Sequence, residues 1–284
     1  LAQNASQVFI VASSDDEPYR LAIQGFKDQL APAHAEFTVL TLQQIKSGTS
    51  ASIQDLKPGL IYALGNDATQ WALQQSATIP IVATLVLKDS ILQHSPNVTG
   101  VSLSYSLTTQ FQWLKKFFPQ QKSVAIIYNP TENEGTVQSA KSISQQYGFR
   151  LIPIAVETPK ELPYALEQLA RNIDILLAIP DETVMTVNTA KEILLASFRN
   201  KVPLIGLSDN WVKSGAYYAL SWDYEDIGKQ SGNLAQKILS GAPIKSLPHE
   251  HPRKITYTVN TKIAEHMNMD IPGNLVTNAK IVFD

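Results

Sequence analysis

The strongest constraint on this chain is a repeated change of hydrophobic period, from a continuous apolar run to helical spacing within a few residues. It is clearest at 123–148. Ser123-Val124-Ala125-Ile126-Ile127-Tyr128 is the pattern of a strand buried on both faces. The run breaks at Asn129-Pro130, read as a turn that opens a polar loop. Val137, Ala140, Ile143 and Tyr147 then recur at helical spacing, and Gly148 stands where a helix would stop. In a parallel sheet such a loop lies at the carboxyl ends of the strands, where open α/β sheets bind ligands.

The same arithmetic recurs along the chain. Apolar runs at 7–12, 60–64 and 81–87, with an alternating segment at 36–42, are separated by helical stripes such as Ala22, Phe26 and Leu30. A break at Pro96–Gly100 precedes a second series, with strands at 123–128, 150–156, 173–179 and 202–207. The expected fold class is α/β, two Rossmann-like lobes with parallel sheets joined by a multi-strand hinge. A helix at 224–239 and a strand at 255–259 are left over after the second series. The expected division is therefore 1–102 plus 223–256 for the first lobe and 103–222 plus 257–284 for the second, with a cleft between strand-end surfaces.

Composition narrows the function classes. The 284 residues are 44% hydrophobic and 17% charged, enough for two cores. A net charge of −2 leaves no electrostatic footprint for nucleic acid. The absence of cysteine excludes disulfides, thiolate metal sites and a cysteine nucleophile. The start at Leu1-Ala2-Gln3 reads as processing or trimming, compatible with export.

Chemistry-bearing motifs are missing. There is no phosphate-cradling glycine loop, and Gly206-Leu207-Ser208-Asp209-Asn210 fails the nucleophile-elbow pattern at its last position. His34, His94 and His266 are scattered, and His249-Glu250-His251, between Pro248 and Pro252, is read as a solvated loop with too few ligands for a metal. No enzyme, cofactor or metal is expected. Asn97-Val98-Thr99 matches a glycosylation sequon and is read as a turn before a crossover.

Small polar clusters do mark the strand ends: Ser13-Ser14, Asn66-Asp67, Thr84, Asn129 to Asn133, Asp181-Glu182 and Ser208-Asp209. Each can cap a helix, with Asp67 and Asp181 as N-caps, and the same clusters can converge on one ligand. Trp71 and Trp113 read as core, whereas Trp211 and Trp222 sit after strand ends and are candidates to line a cleft.

The order of several segments resembles the solute-binding proteins of ABC importers, in the subgroup whose members bind tryptophan and related aromatic amino acids. The segments are Asn97-Val98-Thr99-Gly100-Val101-Ser102, Tyr128-Asn129-Pro130-Thr131-Glu132, Pro180-Asp181-Glu182-Thr183-Val184, Ser208-Asp209 with Gly215-Ala216, and Asp223-Tyr224 with Gly228 and Gln230. Gly65-Asn66-Asp67 and Thr84-Leu85 depart from that pattern in the first lobe. The resemblance implies a type I periplasmic-binding-protein fold and a non-enzymatic, exported monomer. Such a protein would close on a small polar solute and present it to a membrane ABC permease. A sensory module of the same fold is the alternative. The implied ligand contacts are Ser13, Ser14, Asn66, Asp67, Thr84, Asn129, Glu132, Asp181, Asp209 and Trp222.

Overall fold

The computed structural model describes residues 6–48, 53–93 and 95–284. Leu1-Ala2-Gln3 and His94 lie outside the described residues. Along the chain run β1 (Ser6–Ala12), α1 (Glu17–Leu30), β2 (Ala35–Thr41), α2 (Leu42–Lys46), α3 (Ile53–Leu56), β3 (Leu60–Leu64), α4 (Asn66–Gln75), β4 (Ile81–Thr84) and β5 (Val98–Val101). There follow α5 (Leu107–Phe117), β6 (Ser123–Tyr128), α6 (Pro130–Gln146), β7 (Arg150–Ala155), α7 (Leu162–Glu167), β8 (Ile175–Leu177), α8 (Val187–Asn200) and β9 (Leu204–Ile205). The last part holds α9 (Asp209–Lys213), β10 (Tyr218–Ser221), α10 (Tyr224–Leu239), β11 (Thr256–Asn260), α11 (Thr261–His266), α12 (Gly273–Thr277) and β12 (Ile281–Phe283).

These elements form two compact units. One comprises Leu1–Ser104 and Trp222–Lys254, the other Tyr105–Ser221 and Ile255–Asp284, so the chain passes between them at 104/105, 221/222 and 254/255. The first unit holds a parallel sheet in the order β2-β1-β3-β4-β5. The second holds the order β12-β11-β10-β9-β8-β6-β7, parallel except where β11 runs against β10. The two-lobe, parallel-sheet α/β class expected from the sequence is the class observed.

Each sheet is buried on both faces, which is why its central strands read as unbroken apolar runs. In the first unit Phe9, Val11, Ile61, Ala63, Ile81 and Ala83 form one core, while Phe26 of α1 stacks on Tyr62 from the other face at 3.8 Å. In the second, Ala125, Ile127, Leu176 and Leu204 pack one face. On the other face Phe117 of α5 stacks on Tyr218 at 3.8 Å.

Helix α10 joins the first unit by direct backbone approach to α1. A Cβ at Gly228 would lie 2.0 Å from the Ala22 carbonyl oxygen, and one at Gly25 would lie 2.0 Å from that of Glu225. Only hydrogen fits at these two crossings.

Three sequence expectations need correction here. The sequon is a turn only at its first residue: Pro96-Asn97 turn, but Val98-Thr99 already open the fifth strand, Val98–Val101, and buried Asn97 donates its side-chain amide to the carbonyls of Ser76 (3.1 Å) and Ile79 (2.9 Å), out of reach of a glycan. The polar loop after β6 is helix: α6 begins at Pro130, with Asn129 as N-cap accepting the Thr131 amide at 2.9 Å. Proline at the first helical position lacks a donor that would have no partner there in any case. Asp67 does not cap α4. The cap position belongs to Gly65, whose φ of 94° suits glycine, and the Ala68 amide donates to Ser13 Oγ instead.

Candidate functional site

Parallel register gathers the polar strand ends of each unit along one sheet edge. In the first unit Ala12, Leu64, Thr84 and Val101 lie side by side at the carboxyl ends of β1, β3, β4 and β5. Ser13 continues the ladder, its amide donating to Leu64 O at 2.9 Å and its Oγ receiving the Ala68 amide at 3.0 Å. Ser14 and Asp16 form a closed pair: Ser14 Oγ donates to Asp16 Oδ2 at 2.7 Å and receives the Asp16 amide at 3.1 Å. Asn66 and Asp67, in the first turn of α4, are exposed. Thr84 is turned inward, its hydroxyl donating to Val101 O at 2.7 Å. Trp222 is also buried in this unit, with its indole N–H donated to Leu103 O at 2.7 Å.

The sequence reading passed over Tyr19 in this unit. Its hydroxyl lies 3.1 Å from the point a Cβ on Gly65 would occupy, beside Ser13. Burial first, and then the charges of Asp16 and Asp67, push its pKa up, keeping the phenol a hydrogen-bond donor. The available signal was its place in the first turn of the helix after β1.

In the second unit Asp181 is the organising group. Its Oδ2 accepts the Asn129 amide and Asn133 Nδ2, each at 2.8 Å, and its Oδ1 accepts the amides of Thr183 (3.0 Å) and Val184 (2.9 Å). These bonds fasten the start of α6 to the turn after β8. Asp181 thus caps a turn and not α8, whose N-cap is Thr186. Glu132 adds a second link, accepting the Glu182 amide at 2.9 Å, and Asn129 Nδ2 donates to Thr183 Oγ1 at 2.9 Å. Tyr128, the last residue of β6, donates to Glu134 Oε2 at 3.0 Å.

Asp209 is differently placed. One carboxylate oxygen, Oδ2, lies 3.4 Å from Lys280 Nζ; the other, Oδ1, is buried and accepts no hydrogen bond from the described residues. Lys280 also donates to Ser221 Oγ at 3.1 Å. Lys280 escaped the sequence reading because it immediately precedes β12, a three-residue run that was not read as a strand. Since β12 runs antiparallel to β10, its first end meets the carboxyl end of β10 and brings the ammonium to Asp209.

Elsewhere in the first unit, folding changes the reading of His249-Glu250-His251. The segment is extended, with Glu250 bridged to Val101, and Asp89 faces the two imidazoles. The ion pair between His249 Nε2 and Asp89 Oδ2 spans 3.6 Å.

Two α/β lobes with parallel sheets and polar carboxyl edges define the type I periplasmic-binding-protein class. The family model described as ABC transporter substrate binding protein matches residues 21–283, and the chain belongs to that family. It is similar to a tyrosine-binding protein of Clostridioides difficile, 26% identical over 238 residues that cover 79% of this chain and 67% of that protein. Among solved structures it resembles the ligand-free, open form of a substrate-binding protein with adhesive properties from Clostridium difficile. There the TM-score is 0.79 at 22% identity, over 98% of this chain and 99% of that one. It also resembles an ABC domain in complex with L-Trp from Streptococcus pneumonia, with a TM-score of 0.65 at 17% identity over 99% and 100% of the two chains. At these identities the structural likeness concerns the fold. Members of this family are solute-binding proteins that partner with a membrane permease, typically periplasmic or extracellular, and the family is not one of enzymes. Among the described residues no helix is long and apolar enough to cross a membrane.

Proposed function

We propose that the chain captures one zwitterionic amino acid, of the aromatic class, for an ABC importer. The observation that carries the reading is the Asp209–Lys280 pair. It holds a buried carboxylate oxygen with no donor beside an ammonium, at the carboxyl edge of β9 and β10. An α-ammonium group supplies the donor that Asp209 Oδ1 lacks, and Lys280 is matched to the α-carboxylate. Asp181 is not the acid for the ammonium, because four protein donors already occupy its oxygens. Together with Asn129 and Glu132 it shapes the edge. The first unit's contribution comes from Ser13, Ser14, Asn66 and Asp67, with Tyr19 added and with Thr84 and Trp222 as buried supports.

Ligand binding to both edges shifts an open–closed equilibrium toward the closed form, which a permease reads; the chain works as a monomer. The tyrosine-binding relative and the L-Trp complex support the aromatic amino-acid class. In isothermal titration, Asp209→Asn should weaken amino-acid binding roughly tenfold or more, the worth of one hydrogen bond to a charged group. Unchanged affinity in that variant would remove Asp209 from the site.

A further inference from the structure

Three side chains distant in sequence converge in the first unit: Asp89, in the turn after β4, and His249 and His251, in the segment that precedes the last crossing at 254/255. One ligand-type atom from each lies within 4.8 Å of the other two. The local geometry explains the convergence. Glu250 pairs with β5 on both sides of its peptide, its amide donating to Gly100 O at 2.8 Å and its carbonyl accepting from the Ser102 amide at 3.0 Å. Residues alternate faces along such an extended segment, so His249 and His251 project to one side and Glu250 to the other. Glu250 accordingly accepts Gln230 Nε2 of α10 at 2.7 Å and is not part of the cluster.

We propose that Asp89, His249 and His251 form a binding site for a divalent transition-metal cation, Zn²⁺ by its donor set. Two imidazoles and one carboxylate are borderline and hard donors that suit Zn²⁺, with water completing a tetrahedron. Tetrahedral Zn²⁺ with bonds of about 2.0–2.1 Å needs donors roughly 3.3 Å apart. His249 Nε2 and Asp89 Oδ2 are 3.6 Å apart, and the ligand-type atom of His251 lies within 4.8 Å of both partners.

The outer shell is also built. Ser104 Oγ donates to Asp89 Oδ1 at 2.6 Å, and His251 Nδ1 lies 2.9 Å from Ser104 O. An imidazole that donates Nδ1–H to a backbone carbonyl presents Nε2 as the metal-binding nitrogen, and a carboxylate bonded through one oxygen keeps the other for the metal. One residue, Ser104, therefore orients two of the three ligands. It is also the last residue of the first unit before the chain crosses. The bound ion ties the segment on the amino side of the first crossing to the one on the amino side of the last.

The test is isothermal titration of ZnCl₂ into the full chain after chelator treatment, with Co²⁺ absorption as a second readout of the coordination sphere. The expected result is one Zn²⁺ per chain. Asp89→Asn, His249→Gln and His251→Gln should each weaken binding at least about tenfold, and Ser104→Ala should weaken it about tenfold through the outer shell. His34→Gln, outside the cluster, should leave it unchanged. Thermal unfolding of the metal-free variants checks that each folds. Failure of the intact chain to bind Zn²⁺ would overturn the proposal, and so would binding that survives the His249→Gln, His251→Gln double variant.

Discussion

Asp181 accepts four hydrogen bonds from Asn129, Asn133, Thr183 and Val184, so a ligand ammonium could reach it only by displacing one of them. Removing the carboxylate leaves buried donors without acceptors. Asp181→Ala should therefore lower stability by about 3 kcal/mol, read as a fall in denaturation midpoint without a change of slope. A loss of affinity alone, with stability intact, would contradict the structural role. Asp223 offers a pH test. Burial opposes its ionisation, but the Lys254 ammonium, the Asp226 amide and the Lys229 charge outweigh it and hold the carboxyl below its ordinary range. A depressed folded-state pKa contributes stability above the unfolded value and loses it as pH falls. Unfolding midpoints should drop below about pH 4, with a shallower decline in Asp223→Asn. The Lys254 bond is partly exposed, so the effect is modest and should shrink in salt.

At the scale of elements, much of the architecture was legible because the central strands β1, β3, β4, β6 and β8 are buried on both faces and carry no alternation to confuse them. Edge elements were harder. Ile281-Val282-Phe283 is short and half-exposed, and without β12 the place of Lys280 beside Asp209 could not be read. Asn129-Pro130 looks the same in sequence whether it makes a turn or an N-cap followed by proline at the first helical position. Only the amide of Thr131, bonded to Asn129 Oδ1, decides it. The Asp89–His249–His251 cluster depends on β5, which pairs with Glu250 and was itself read as a break. Helix α10 supplies the prediction at this scale. Gly228 touches the α1 backbone, so Gly228→Ala must push the helices apart and should cost about 1–3 kcal/mol, measured by thermal unfolding. A neutral substitution would mean the two helices are free to separate.

For the whole molecule, the division into units follows from where α10, β11 and β12 pack. Helix α10 returns to the first unit and the last two strands extend the second sheet, so three crossings connect the units. The polar residues that a sequence reading groups as one set separate into two edges with different chemistry. The first-unit edge is hydroxyl- and carboxamide-rich, with Tyr19. The second carries the Asp181 network and the Asp209–Lys280 pair. In the proposed function, charge complementarity to a zwitterion falls to the second. The most direct measurement is isothermal titration of the intact chain with L-tyrosine and L-tryptophan beside sugars and purines, repeated in Asp209→Asn. The account predicts saturable one-to-one binding of an amino acid, weakened roughly tenfold or more in the variant. Binding of a sugar or purine with no response to any amino acid would contradict it.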